Sequence, residues 1–353
     1  MRSYLDEIDF EKIKQRFDAF WQREIIDRPM VAITAPRKEK KQQDFPVPDT
    51  IEGKWTDIEY ILKQAELSFE NTLYLGDAIP SFWPNIGPDS FTAYLGGEVT
   101  FRDDRTSWVR PFISDISEYN PVFDRNSKWW RFMCDLIDAA CEVSKGNFLV
   151  GIPDLHGGGD SLQAVIGANE LALALYDKPE EVKRIMKTLT EIYIEVFDSY
   201  YERISRVQKG STTWIRAYSR GKYSALQNDF SGLVSPEMAM EFFLYEDAVV
   251  LSEYLDNSIY HLDGPIALGN LDYLLEVESL DGIQWVPGAG AKPMREWVDV
   301  CSRVLDAGKC LQIGCGPNDV EFLLSKLKHD GLFITTHCST EEQAYKLLDS
   351  LYK

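Results

Sequence analysis

No run of about 18 uninterrupted apolar residues occurs in this sequence, so no membrane-spanning helix is expected. Residues 1–29 are charged throughout and lack the apolar core of a secretory signal, which predicts a cytoplasmic protein. Basic charge is also scarce, with 37 Lys and Arg against 57 Asp and Glu and a formal net charge of −20. Such a surface repels phosphate backbones, so nucleic acid is not an expected partner. The six cysteines, Cys134, Cys141, Cys301, Cys310, Cys315 and Cys338, form no CxxC pair, which removes the zinc ribbon and the thioredoxin-like motif. In a reducing compartment each is then a buried apolar residue, a ligand or a nucleophile. There is no G-x-G-x-x-G and no Walker lysine, and neither an internal repeat nor a low-complexity linker divides the chain.

What is present is an ordinary globular composition, 44% hydrophobic and 27% charged over 353 residues. Helical and strand-like patterns alternate along the whole length. Ile13, Phe17, Phe20 and Trp21 fall at helical spacing and predict a helix over 10–26. Residues 30–35 (MVAITA) follow as a short buried strand, and 36–50 read as an exposed loop. Further helices are expected over 57–71, 128–144, 179–205, 292–307 and 318–328, and strands over 148–152, 212–217, 258–263, 282–286, 310–313 and 331–335. Residues 96–113 alternate like an inserted hairpin, and Thr340 with Gln343 matches a capping box opening the last helix. About eight strand–helix alternations with short connections predict an α/β fold. The expected form is a single (β/α)8 TIM barrel over residues 1–353 with an N-terminal helical extension.

A barrel of this kind keeps its chemistry at the carboxyl ends of its strands. The fifth strand ends in His261-Leu262-Asp263-Gly264, and alternation points His261 and Asp263 to the same face. A His-x-Asp pair is also common as a purely structural hydrogen bond. His337 and Cys338 lie just beyond the eighth strand, and Cys315 in Gly-Cys-Gly could substitute as a ligand. Imidazole, carboxylate and thiolate from three protein residues would leave a catalytic zinc one open position. Trp83 on a Pro-rich loop, His156 before three glycines, Gln227 and Asp229 before the Ser235-Pro236-Glu237 helix start, and Trp285 are candidate pocket residues. The competing reading for the tryptophans is core filling. The Gly157-Gly158-Gly159 run is a tight passage that could cradle an anion.

The segments RPMVAITAP, the L-x-S-P-E turn before residues 238–242, and HLDGP followed by LDGIQWVPGAG together resemble the uroporphyrinogen decarboxylase superfamily. The nearest likeness is to its corrinoid-linked methyltransferase branch, including trimethylamine corrinoid protein 2-like and uroporphyrinogen decarboxylase-like members. In the zinc enzymes of that superfamily a His-x-Cys-Gly turn follows strand five and another cysteine follows strand eight. The resemblance carries the histidine to His261 and the last cysteine to Cys338, while Asp263 occupies the position of the middle cysteine. It implies zinc held by His261, Asp263 and Cys338. The arginine pattern that serves porphyrinogen carboxylates in the decarboxylases is not matched by Arg37.

The function implied is one-carbon transfer. A methyl group would pass from a small methyl donor, an aryl methyl ether or a methylamine-like compound, to the cobalt of a partner corrinoid protein. No D-x-H-x-x-G run marks a cobalamin domain in this chain, so the cobalamin would come with that partner. His261, Asp263 and Asp229 are the expected catalytic groups, with Trp83, His156, Gln227 and Trp285 shaping the substrate pocket. Two rivals are a metal-free decarboxylase-like lyase using Asp229 or Asp263, and a non-catalytic small-molecule-binding barrel. A homodimer is the general expectation for oligomeric state.

Overall fold

The structure, a computed structural model, describes residues 3–352; Met1, Arg2 and Lys353 lie outside the described residues. Thirteen strands are present among them. They are β1 (Met30–Pro36), β2 (Thr72–Gly76), β3 (Ser81–Phe82), β4 (Val99–Phe101), β5 (Ser107–Val109), β6 (Leu149–Val150) and β7 (Ser211–Thr212). After these come β8 (Tyr218–Ser219), β9 (Tyr223–Gln227), β10 (Asn257–Asp263), β11 (Gly282–Val286), β12 (Cys310–Cys315) and β13 (Leu332–His337).

Seven strands form one sheet in the order β2-β1-β13-β12-β11-β10-β9, parallel throughout except for β2 at its edge. Short pieces lie outside this sheet: β3 pairs in parallel with β6, and Ile152 N donates to Thr212 O at 2.8 Å. The observed architecture is thus a large, mostly parallel sheet with helices between its strands. Apolar residues such as Val31, Ile283, Ile313 and Ile334 are fully buried in the main core with the surrounding helices, as expected when a parallel sheet is covered.

The helix of residues Phe10–Trp21 is shorter than the periodicity of 10–26 predicts, because Arg23 enters the left-handed region at φ 56° and ends the run. Its Ile13, Phe17 and Phe20 pack on Ile259, Cys310 and Phe333 near the amino ends of the strands. The N-terminal helix therefore covers one end of the sheet and leaves the carboxyl ends for the site. Helix Lys128–Ser144 has its predicted bounds, with Ser127 accepting from Trp130 N. Thr340 caps the last helix, although the Gln343 side chain reaches Ser339 N rather than Thr340 N.

Two expectations need correction. The strand predicted over 212–217 stops at Thr212, since Arg216 takes φ 65°. The central strand of that region is instead β9, in the passage read as irregular; YSALQ is buried on both faces and so shows no alternation. The helix beyond Pro236–Ala239 also changes pitch: Met240–Val250 is π-helical, and it carries the buried Asp247.

Candidate functional site

His261 stands on β10 directly across from Gln284 on β11, and Gln284 in turn across from Gln312 on β12. This register builds a relay. His261 Nδ1 lies 2.6 Å from Gln284 Oε1, Gln284 Nε2 donates to Gln312 Oε1 at 2.5 Å, and Gln312 Nε2 donates to Thr335 Oγ1 at 3.1 Å. Thr335 donates onward to Ile313 O, which fixes the direction of the chain. Gln284 therefore presents an acceptor, and His261 Nδ1 donates to it.

Gln284, Gln312 and Thr335 line a cavity of about 350 Å³ together with Trp214, Arg216 and Cys315. That volume suits a small molecule. Trp214 packs edge-on with the His261 ring, centroids 4.8 Å apart. Trp83 is half-buried and stands against Trp214 at 6.5 Å without lining the cavity itself. Trp285 is core filling: it points away from Gln284, is fully buried and packs on Trp297 at 5.2 Å.

A second group of side chains comes from the connections after β6 and β9. His156 Nε2 lies 3.2 Å from Asp154 Oδ2, and its Nδ1 lies 3.6 Å from Asp160 Oδ2. Gln227 Nε2 holds the other oxygen of Asp154 at 2.5 Å. Asp160 sits in the first turn of helix Gly158–Ile166 and accepts from Asp229 N and Phe230 N at 3.0 and 2.9 Å. Burial alone would lower the pKa of His156, but Asp154, Asp160 and Asp229 outweigh it and raise the pKa to about 10. Burial raises Asp229, and Asp160 adds to the rise, while the imidazoles of His156 and His261 pull it back.

The three glycines have a different purpose from the anion cradle that the sequence suggests. A side chain on Gly158 would stand 1.7 Å from Asp247 Oδ1, and one on Gly159 2.2 Å from Asn228 Nδ2. The glycines let the backbone approach Asp247, which accepts from Gly159 N at 3.1 Å and Asn228 Nδ2 at 2.6 Å. Burial pushes Asp247 up to about 8 against these two donors.

Among the described residues, the one group of three or more His, Cys, Asp and Glu side chains whose ligand atoms all come within 4.8 Å is His156, Asp160 and Asp229. His261, Asp263 and Cys338 do not form such a group. Asp263 Oδ1 is buried without a hydrogen-bond partner among the described residues, but Cys338 is buried in the main apolar core, its backbone N bonded to Thr34 O at 2.7 Å. Asp154 and Asp160 were missed in the sequence. The spacing of Asp154, His156 and Asp160 around the glycines was the available signal, masked because an acid in a first helical turn already has a structural reason.

No protein-family model and no curated protein sequence matches the chain. Among solved structures it is similar to a methyltransferase from Methanosarcina mazei, with a TM-score of 0.65 and 12% sequence identity over 97% of this chain and 99% of that one. The likeness is one of fold, and it runs end to end.

Proposed function

We propose that this chain is a methyltransferase that moves a methyl group from a small methylated substrate, an aryl methyl ether or a methylamine-like compound, to the cobalt of a separate corrinoid protein. On this reading the short parallel strands β3 and β6 bring the six parallel strands of the sheet to the eight of a (β/α)8 barrel. The partner docks over the carboxyl ends of its strands. The observation that carries the reading is the cavity of about 350 Å³ floored by the glutamine relay, in a fold shared with a methyltransferase.

The transfer sets clear demands on the protein. The methyl group leaves without its bonding electrons and is taken up by the electron pair of Co(I), while the donor heteroatom keeps the pair it shared with carbon. That heteroatom takes up a proton from solvent as the methyl group departs. Trp214 supplies an apolar wall for the methyl-bearing part. His261 stands behind two lining residues, bonded to Gln284 and packed on Trp214, and so fixes how both face the substrate. Asp229 lies within electrostatic reach of both His156 and His261.

Zinc on His261, Asp263 and Cys338 has no part in this proposal. The orphaned Asp263 oxygen would suit a metal, but the Cys338 thiol that should join it is packed in the apolar core.

The test is incubation with a corrinoid protein reduced to Co(I) and a panel of aryl methyl ethers and methylamines. The expected result is a shift of the cobalt absorption towards methylcobalamin with at least one donor, at least tenfold slower in His261→Ala. A panel that leaves the spectrum unchanged, with the protein folded, contradicts the proposal.

A further inference from the structure

We infer that His156, Asp160 and Asp229 form a binding site for one divalent transition-metal ion of the zinc class, separate from the His261 turn. The donors are one imidazole nitrogen and two carboxylate oxygens, all mutually within 4.8 Å. His156 Nδ1 and Asp160 Oδ2 are 3.6 Å apart, longer than a hydrogen bond and close to the spacing of two ligands around one ion with metal–ligand bonds of about 2.0–2.2 Å.

The surroundings carry the inference further than the cluster alone. A metal-bound histidine characteristically gives its other ring N–H to a carboxylate. Asp154 occupies that position behind His156 Nε2 at 3.2 Å, itself held by Gln227 at 2.5 Å. Asp160 is oriented in the same way by two backbone N–H groups. Two of the three inner donors, His156 and Asp160, thus have fixed outer partners, and the Asp229 carboxylate stays free to turn towards an ion.

Charge points the same way. Among the described residues neither Asp154, Asp160 nor Asp229 is paired with a lysine or arginine, so three carboxylates share one imidazole. Asp229 is exposed, which opens the site to solvent and leaves room for water or substrate beside three protein ligands. A nitrogen donor disfavours magnesium and calcium, and the lack of a thiolate disfavours copper(I). Zinc, manganese and iron(II) fit the set.

The test does not depend on methyl transfer. Chelator-treated protein is titrated with Zn²⁺ by calorimetry and with Co²⁺ by visible absorption. The expected result is one ion per chain, with Co²⁺ bands of a nitrogen–oxygen site and no thiolate-to-cobalt charge transfer. Asp229→Asn and His156→Gln should each weaken binding at least tenfold, while Cys338→Ser binds as the unaltered protein does. Absence of stoichiometric binding overturns the proposal. So does a thiolate band lost in Cys338→Ser, or unchanged affinity in Asp229→Asn. If metal binds as expected and no donor is demethylated, the site stands and the methyltransferase reading falls.

Discussion

Two charge clusters sit at opposite ends of the sheet, and they are balanced differently. At the amino end a single carboxylate, Asp77, is fully buried between Arg28 and Arg16, at 2.6 and 3.1 Å, and also accepts from Val31 N at 2.9 Å. Asp27 pairs with the outer side of Arg16 at 2.9 Å, so two guanidinium groups meet two carboxylates. At the carboxyl end three carboxylates face one histidine, with no basic side chain among the described residues to match them. The first cluster is complete and ties the N-terminal helix to β1. The second is short of positive charge, which is the condition of a site awaiting a cation.

The comparison can be broken by substitution. Asp77→Ala should have the largest effect, a loss of about 3–5 kcal/mol in urea unfolding, because Arg28 would be left buried without a carboxylate and Arg16 would keep only Asp27. A loss below about 1 kcal/mol would show that the amino-end cluster is not structural.

His156→Gln should cost less, about 1–3 kcal/mol at neutral pH, since solvent reaches part of the ring. The folded protein holds this imidazolium up to about 10, above the ordinary 6.5. Its contribution is therefore full below about 6.5 and is lost as pH rises through about 10. In metal-free buffer the gap between His156→Gln and the unaltered protein should close over that range, and a constant gap would contradict the assignment.

Asp247→Asn is expected to have a smaller effect, and one that improves with pH. Burial raises this carboxyl from 3.8 to about 8, so only the folded state keeps the proton between those values. Stability from this group accordingly falls as pH rises through the window. The variant, which has no proton to lose, should gain on the unaltered protein between about pH 5 and pH 8 in paired unfolding curves. A parallel pair of curves would mean that Asp247 is ionised throughout.

Much of this frame was legible in the sequence. Helix Lys128–Ser144 and the strands β1, β10 and β11 announce themselves by periodicity, caps or short apolar runs bounded by turns. β9 did not, because a strand buried on both faces loses its alternation. His261 and Asp263 share a half-buried face, as alternation requires. The relay from His261 to Thr335 was invisible, since it depends on parallel register between strands that are distant in sequence. The cluster was half visible: His156, Gln227 and Asp229 could be singled out from their loops. That Asp154 and Asp160 join them depends on how two connections fold over one another.

The most direct measurement of the contrast is the unfolding free energy of Asp229→Asn in metal-free buffer. Removing one carboxylate from an over-negative cluster relieves repulsion with Asp160, and Asp229 makes no side-chain hydrogen bond or ion pair among the described residues. The expected result is stability within about 0.5 kcal/mol of the unaltered protein, or above it. A loss of more than about 1 kcal/mol would contradict this, and would place the carboxyl-end cluster with Asp77 as part of the framework.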